Sequence, residues 1–233
     1  MKITYLHHSG FMVELEKLIL VFDYFTQGGR FDFIDTKAFG DKEVIFFVTH
    51  EHEDHFDKKI GQWAERAFFV VSDEVFVPGA NEQNCIMTTL YQTYHLCGAE
   101  VTTLKSNDAG VAFLVKAEGK TIYHGGDLNW WHWDGEYDAI NEDIGKMYCR
   151  EIDRLKGEKV DVAFVPADPR LKDKESWAIE YFAKEVGADA IFPMHFWGQF
   201  GICQRLQATA YGDKIVTITQ PNEVFTQPFV AQK

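Results

Sequence analysis

One short segment restricts what this chain can fold into more than any other. Positions 50 to 55 read His-Glu-His-Glu-Asp-His, shortly after five apolar residues that predict a buried strand. In an extended chain His50 and His52 point to the same side and can converge on one metal ion. Asp54 and His55 are neighbours, so the chain must turn there, and this pair suits a second ion or another side of the first. The spacing predicts two metal positions, the alternative being solvated histidines with an aspartate that caps the next helix.

The composition predicts a globular protein with one sizeable core. The chain has 233 residues, of which 46% are apolar, and no linker or change of composition divides it, so we expect a single α/β domain over residues 1–233. Its 36 acidic residues against 23 basic ones give a formal net charge of −13, which argues against nucleic acid as a partner. The four cysteines form no CxxC pair and no apolar run is long enough to span a bilayer. We therefore expect reduced thiols, no membrane contact and a cytoplasmic protein.

Several other predicted strands also end in aspartate or histidine. Asp23 closes the third strand of an opening meander, Asp127 follows the strand 121–124, and Asp168 and His195 follow later buried strands. Open α/β architectures place their sites beyond the carboxyl ends of strands, so we expect these side chains to gather. Taken alone, Asp127 is read more simply as a turn residue and His195 as a core histidine. Together, the best candidates for metal ligands are His50, His52, Asp54, His55, Asp127 and His195.

The donor types also restrict the metal. Imidazole suits zinc and iron, while a carboxylate commonly bridges two ions. We expect one or two divalent metal ions, with zinc preferred over manganese or iron.

The remaining pattern predicts the elements that carry these residues. Apolar residues at spacings of three and four predict a long helix over residues 137–155 and a second helix over residues 176–186. A short helix is expected over residues 58–66. Strands are expected over residues 214–219 and 224–225.

These motifs resemble the metallo-β-lactamase superfamily. The resemblance rests on the His-x-His-x-Asp-His segment after a strand, on Asp127 after glycine, and on His195 in a late Pro-Met-His element. The opening segments 7–11 and 20–23 are similar to the lactonase-like branch of metal-dependent hydrolases, of the L-ascorbate-6-phosphate lactonase type. The resemblance spans nearly the whole chain. It implies an αββα four-layer sandwich, in which two sheets face each other with helices outside.

The resemblance also implies a role for each candidate ligand. His50 and His52 are expected to hold a first metal, and Asp127 to bridge it to a second one. The second metal is expected to be held by Asp54, His55 and His195, with Asp23 orienting one of the ligands.

One departure from the superfamily pattern concerns the first metal. The superfamily usually supplies a further histidine to it before the Gly-Asp element, and this sequence has none there. Asp108 or Asn107 is expected to substitute, with His95 as a third alternative that lies earlier, inside a predicted strand. A single-metal enzyme therefore stays open.

The implied function is that of a metal-dependent hydrolase. A bound ion lowers the pKa of water to about 7 and polarises the bond under attack. Asp54 is the expected catalytic residue, because it can orient the attacking water or move its proton. His8 is expected either near the mouth of the site or as an ordinary histidine at a strand end.

The expected substrate is a small molecule with an ester, lactone or phosphoester bond. It is expected to be anionic if Arg170, Lys172 and Lys174 clamp it rather than face solvent. The tryptophans 130, 131 and 133 are expected to wall the pocket, or else to pack in the core or against another subunit, so a homo-oligomer stays open.

Three other functions compete with this one. A di-iron redox protein on the same fold is opposed by the lack of an added flavin domain. A nuclease is opposed by the acidic charge. A metal-binding protein with a degenerate site is supported only by the missing histidine.

Overall fold

The computed structural model describes residues 1–229, which form two β-sheets. Its strands are β1 (Lys2–His7), β2 (Gly10–Glu14), β3 (Leu18–Phe22), β4 (Glu43–Val48), β5 (Phe68–Ser72), β6 (Cys85–Thr88), β7 (Thr93–Leu96), β8 (Ala99–Lys105), β9 (Val111–Ala117), β10 (Lys120–His124), β11 (Val162–Pro166), β12 (Ala190–Met194) and β13 (Glu223–Thr226). The first sheet has the order β13-β1-β2-β3-β4-β5-β6, and the second has the order β12-β11-β10-β9-β8-β7.

The strands that lead to the candidate ligands share one direction within each sheet. In the first sheet β3, β4 and β5 are parallel, and β1 runs with them because β1–β2 and β2–β3 are both antiparallel pairs. In the second sheet β10, β11 and β12 are parallel. The carboxyl ends of these strands therefore lie at one edge of each sheet, where α/β proteins commonly place functional groups.

The apolar run of β4 is buried on both faces of the first sheet. Ile45 and Phe47 lie in the core that the two sheets share, while Val44, Phe46 and Val48 belong to a second cluster on the outer face. Successive side chains of a strand point to opposite faces, so an uninterrupted apolar run is what a doubly covered strand requires. This strand ends directly before the histidine segment and anchors it to two apolar layers.

Helices cover the outer faces of both sheets. The α-helices are α1 (Asp138–Asp153), α2 (Trp177–Glu185) and α3 (Gly201–Gln207). On the second sheet, Phe182 of α2 stacks on Tyr123 of β10 with ring centroids 5.0 Å apart. On the first sheet, the 3-10 helices Thr36–Phe39 and Lys58–Trp63 form the outer layer, and Trp63 stacks on Phe46 at 5.1 Å. The helices predicted over residues 137–155 and 176–186 are confirmed as α1 and α2.

The short helix predicted over residues 58–66 differs in type and length. It is a 3-10 helix that ends at Trp63, where the amide of Ala64 bonds to the carbonyl of Gly61. Gly61 disfavours a regular α-helix and lies so close to Pro78 that an added Cβ would be 2.3 Å from the Pro78 carbonyl oxygen.

The strand predicted over residues 214–219 is wrong. Gly212–Lys214 is a 3-10 helix, and Ile215 forms only an isolated bridge with Ile191. Further on, the amide and hydroxyl of Thr219 bond to the carboxylate of Glu223 at 2.6 and 3.0 Å, instead of to a neighbouring strand. The strand predicted at residues 224–225 is confirmed as part of β13. Among the described residues, no helix combines the length and hydropathy needed to cross a bilayer.

Candidate metal centre

Side chains from both sheets meet where the strands end. His8 follows β1, the histidine segment follows β4, Asp127 follows β10 and His195 follows β12. Within residues 1–229 their donor atoms form three overlapping groups, each with all its atoms within 4.8 Å of one another. The groups are His8, Asp54, His55 and His195; His50, His55 and Asp127; and His52, Asp108 and Asp127.

Asp127 lies between the other donors. Its Oδ1 is 3.0 Å from Nε2 of His55 and 3.3 Å from Nε2 of His195, and its Oδ2 is 3.4 Å from Nε2 of His50. Burial by itself opposes ionisation of this carboxyl, but the histidines around it hold its pKa well below the usual range. A carboxylate in this position can contact two ions at once.

The buried donor atoms fit a divalent cation. The Nε2 atoms of His8, His50 and His55 and Oδ1 of Asp127 are buried and have no hydrogen-bond partner among the described residues. Leaving such atoms unpaired costs about 1–3 kcal/mol each, so a ligand is expected to occupy them. Metal bonds of 2.0–2.2 Å place tetrahedral donors about 3.3–3.6 Å apart. The separations around Asp127, from 3.0 to 3.4 Å, are close to that value.

Asp23 holds the ring of His55 from behind. Its Oδ2 lies 2.7 Å from Nδ1 of His55, and the amide and hydroxyl of Thr49 donate to the same carboxylate at 2.9 and 2.7 Å. With Nδ1 engaged, the His55 ring presents Nε2 to the centre. Burial alone would lower the pKa of His55, but Asp127 and Asp23 together raise it well above its ordinary value. The position of Asp23 behind a ligand agrees with the role that the resemblance implied.

His195 is held in the same way by Asp168. Nδ1 of His195 lies 3.0 Å from Oδ2 of Asp168, and Nε of Arg170 donates to both oxygens of that carboxylate at 2.9 Å. Against the effect of burial, His195 and Arg170 lower the pKa of Asp168. Asp168 and Asp23 therefore each orient the ring of one histidine, and the two histidines follow strands of different sheets.

The backbone beneath the centre is tightly packed around Thr49. A Cβ added to Gly110 would lie 1.9 Å from the carbonyl oxygen of Thr49, and one added to Gly126 would lie 2.8 Å from the Thr49 Cβ. Both glycines also have positive φ, at 62° and 53°, which a side chain disfavours. The glycine before Asp127 is thus required by the close approach of the two sheets.

The histidine segment is a loop rather than an extended strand. Since β4 ends at Val48, His50 and His52 do not follow strand geometry, and their rings stand at 82° to each other. His50 is buried and grouped with His55, whereas His52 is exposed and grouped with Asp108; Asp127 is common to both groups.

Of the three substitutes expected for the missing histidine, Asp108 lies at the centre. It shares a group with His52 and Asp127. The amide of Asn107 is instead bonded to the backbone, donating to the carbonyl of Asn129 at 2.7 Å and accepting from its amide at 3.1 Å. His95 is exposed on β7, opposite Glu100, and belongs to none of the three donor groups found within residues 1–229.

A cavity of about 420 Å³ opens onto these groups. Asp54, Asp127 and His195 line one part of it, and the indoles of Trp131, Trp133 and Trp197 and the guanidinium of Arg170 line another. The rings of Trp131 and Trp133 are stacked, and Arg170 lies over the rings of both Trp133 and Trp197, at 5.3 and 5.0 Å from their centroids. The cavity therefore combines flat apolar walls with one cationic side chain.

The other candidates for substrate contacts lie elsewhere. Trp130 packs between α1 and α2, against Gly145 and Trp177. Lys172 and Lys174 pair with Asp134 at 2.8 and 3.2 Å on the surface.

Sequence reasoning gave no role to two residues that the structure brings to the centre. Asp168 was noticed at a strand end, and its pairing with His195 depends on the parallel neighbours β11 and β12. Trp197, two residues after His195, lines the cavity, and the sequence carried no signal for it. His8 was placed near the mouth or in an ordinary strand end, and it is buried within a donor group.

Comparison with known proteins agrees with this architecture. The sequence matches the family model described as the beta-lactamase superfamily domain over residues 2–142, which is more than half of the chain. The chain therefore belongs to the β-lactamase superfamily. A UPF0173 metal-dependent hydrolase from Korarchaeum cryptofilum is 24% identical over 206 residues, covering 84% of this chain and 82% of that protein. One from Geobacillus thermodenitrificans is 26% identical over 216 residues, covering 84% and 85%.

A solved structure shares the fold over nearly the whole length. Igni18, a metallo hydrolase from the hyperthermophilic archaeon Ignicoccus hospitalis, superposes with a TM-score of 0.65 at 16% identity and covers 96% of each chain. The predicted fold class and superfamily are confirmed, and the prediction of a metal-dependent hydrolase agrees with the names of these relatives. The lactonase-like branch and the single domain over residues 1–233 stay predictions.

Proposed function

We propose that this protein is a metal-dependent hydrolase that cleaves an ester, lactone or phosphoester bond in a small anionic molecule. The observation that carries the proposal is the set of buried imidazole and carboxylate atoms, unpaired among the described residues, beside an open cavity. Membership of the β-lactamase superfamily and the names of the relatives support it. The lactonase-like branch is the part of the superfamily that we favour.

The donor set suggests two cation positions on either side of Asp127. On one side Asp54, His55 and His195 would hold an ion, and on the other side His50, His52 and Asp108 would hold a second. Imidazole and carboxylate donors together suit zinc, with manganese or iron as alternatives. When bound, such a cation supplies a Lewis acid for the scissile bond and makes a nucleophilic water available at neutral pH.

Asp54 is the residue that we propose to handle the proton. Its side chain is about a quarter exposed, lines the cavity and lies 3.7 Å from Nε2 of His195. Burial alone would raise the pKa of Asp54, but the neighbouring histidines lower it, so the carboxylate is ionised at neutral pH. In that form it can accept a hydrogen bond from the attacking water and take up its proton.

Arg170 and the indoles define the substrate that fits. Because Asp168 binds Nε and Nη2 of Arg170, the guanidinium is fixed at the cavity wall and can meet a carboxylate or phosphate of the substrate. The stacked rings of Trp131 and Trp133 offer a flat apolar surface for the rest of a compact molecule. Only Arg170 of the three predicted cationic residues lines this cavity.

Metal analysis and a substrate panel test the proposal together. The purified protein is analysed for bound metals, stripped with a chelator, and assayed on lactones, phosphomonoesters, phosphodiesters and RNA oligomers before and after zinc is returned. We expect hydrolysis of a small anionic lactone or phosphoester that stripping abolishes and zinc restores. Asp134→Asn, which alters an exposed carboxylate outside the cavity, is the matched control and should retain full activity.

Each competing function has a distinct result in the same experiment. Cleavage of RNA alone would identify a nuclease. Bound iron with oxygen consumption and no hydrolysis would identify a redox protein. A protein that binds no divalent cation would be a degenerate member of the superfamily, and the hydrolase proposal would be wrong.

A further inference from the structure

We propose that His8 is a ligand of the buried cation position, beside Asp54, His55 and His195, and that this position fills before the exposed one. The proposal rests on the metal centre proposed above and adds to it a residue from the first strand of the chain. The opening segment 7–11 contains this histidine, but the resemblance described above assigns it no role as a metal ligand.

The geometry around His8 is that of a donor within the centre. Its Nε2 lies 3.2 Å from Oδ2 of Asp54, and its ring centroid is 4.2 Å from that of His195 and 5.6 Å from that of His55. The donor atoms of these four residues lie within 4.8 Å of one another. They come from β1, β4 and β12, so the position is assembled from both sheets.

A purely structural role explains His8 poorly. Its side chain is only 1% exposed, and its Nε2 has no hydrogen-bond partner among the described residues. A core histidine normally has its ring nitrogens bonded, since an unpaired buried ring nitrogen destabilises the folded protein. A cation between His8 and Asp54 would engage both side chains and remove that cost.

The backbone gives an independent reason to assign a function to this position. His8 has a φ of 55° and His195 a φ of 62°, a left-handed conformation that few non-glycine residues adopt. The amide of His195 donates to the carbonyl of His8 at 3.3 Å, so the two strained turns hold each other. Such backbone strain destabilises the folded protein and is concentrated at functional sites.

The addition of His8 makes the two positions unequal. The buried one has three imidazoles and a carboxylate, and the rings of His55 and His195 are oriented by aspartates. The exposed one has the buried imidazole of His50, but its other donors, His52 and Asp108, are both exposed. Fixed donors bind a cation more tightly than mobile ones, because less ordering is needed on binding. The missing histidine of the superfamily pattern would thus weaken only the position that fills second.

Zinc binding by matched variants tests the proposal. His8→Asn removes the imidazole and keeps a residue type that tolerates positive φ. The control is His7→Asn, since the His7 ring stacks on Phe31 at 3.7 Å and belongs to none of the donor groups within residues 1–229. Zinc affinity is measured by competition with a chelator. X-ray absorption at one zinc per chain counts the imidazoles bound to the metal.

We expect the wild-type protein to hold its first zinc with three imidazoles. His8→Asn should show one imidazole fewer and an affinity lower by at least about tenfold, and His7→Asn should match the wild type. If His8→Asn does not fold, the wild-type protein alone tests the proposal. A first zinc bound by only two imidazoles would contradict it. Unchanged affinity and imidazole count in His8→Asn would overturn it while leaving the hydrolase intact. A wild-type protein that binds no divalent cation would overturn both.

Discussion

The two sides of Asp127 differ in burial and in how firmly their donors are held. On one side His55 and His195 are buried, and each has its Nδ1 bonded to an aspartate of its own sheet. On the other side His50 is buried, but His52 and Asp108 are exposed and line the cavity. The centre therefore joins a preorganised half, built into the ends of strands, to an open half built from loops.

This difference separates two requirements of a hydrolytic site. A tightly held ion needs donors whose geometry is set before it arrives, and buried, oriented imidazoles provide that. Substrate needs room and exchangeable contacts, which the open half and the indole-lined cavity provide. Four changes test whether the two halves are as different as their burial indicates.

The largest effect is expected from Asp127→Asn, because the Asp127 carboxylate lies within 3.4 Å of histidines of both halves. The variant keeps the shape of the side chain and removes the charge that two cations would share. We expect both ions to be weakened and kcat/KM for hydrolysis to fall by about a thousandfold. The measurements are metal content after dialysis and the initial rate. If only one ion is lost, Asp127 does not bridge.

Of the two cation positions, Asp168→Asn should weaken only the buried one. Without the carboxylate, His195 loses the partner that orients its ring, and affinity for the first zinc is expected to fall by about 10- to 100-fold. Asp108→Asn is the matched change in the open half and should weaken only the second ion. Chelator competition on both variants measures this. Equal losses in the two variants would show that the halves do not differ.

Gly110→Ala tests the backbone on which both halves rest. The added Cβ would lie 1.9 Å from the carbonyl oxygen of Thr49, whose amide and hydroxyl hold Asp23. We expect a loss of about 2 kcal/mol in the free energy of unfolding, measured with urea on the metal-free protein. Gly135→Ala is the control: its φ is also positive, at 88°, but the added Cβ has nothing within 4 Å. It should cost about 1 kcal/mol. If the two variants lose the same free energy of unfolding, Gly110 is needed only for its positive φ and not for the close approach to Thr49.

Arg170→Lys is expected to have the smallest effect, and on the open half. Lysine keeps the charge but cannot bind Asp168 and a substrate anion with the same planar group. We expect KM for an anionic substrate to rise about tenfold with kcat nearly unchanged. Lys172→Gln, outside the cavity, should change neither constant. A fall in kcat with constant KM would place Arg170 in support of His195 rather than of the substrate.

Much of the candidate centre could be predicted because strand ends are marked in the sequence. The run before Thr49 is apolar on both faces, so its end is readable, and the His-x-His-x-Asp-His order follows within a few residues. Parallel strands bring such ends to one edge, which placed Asp127 and His195 beside His55.

Other parts of the centre left no readable pattern. His8 and Asp54 are 46 positions apart. They meet because β1, at one side of the first sheet, ends at the same edge as β4. Asp168 contacts Nδ1 of His195 only because β11 and β12 are neighbouring strands. The error in the helix predicted over residues 58–66 has the same origin, since Pro78 approaches Gly61 from another part of the chain. The error in the strand predicted over residues 214–219 is local, since Thr219 bonds to Glu223 four positions further on instead of to a neighbouring strand.

The sequence by itself determined which residue types end the strands, since alternation, apolar runs and metal-donor spacing are local properties of the chain. These properties indicated the six candidate ligands, while the superfamily and its αββα fold were implied by the resemblance of the motifs. The tertiary structure decided which donors share a position, which of them are buried and which are exposed. That division depends on how two sheets meet at their carboxyl edges, over separations of up to 187 positions between His8 and His195, where no local pattern reaches.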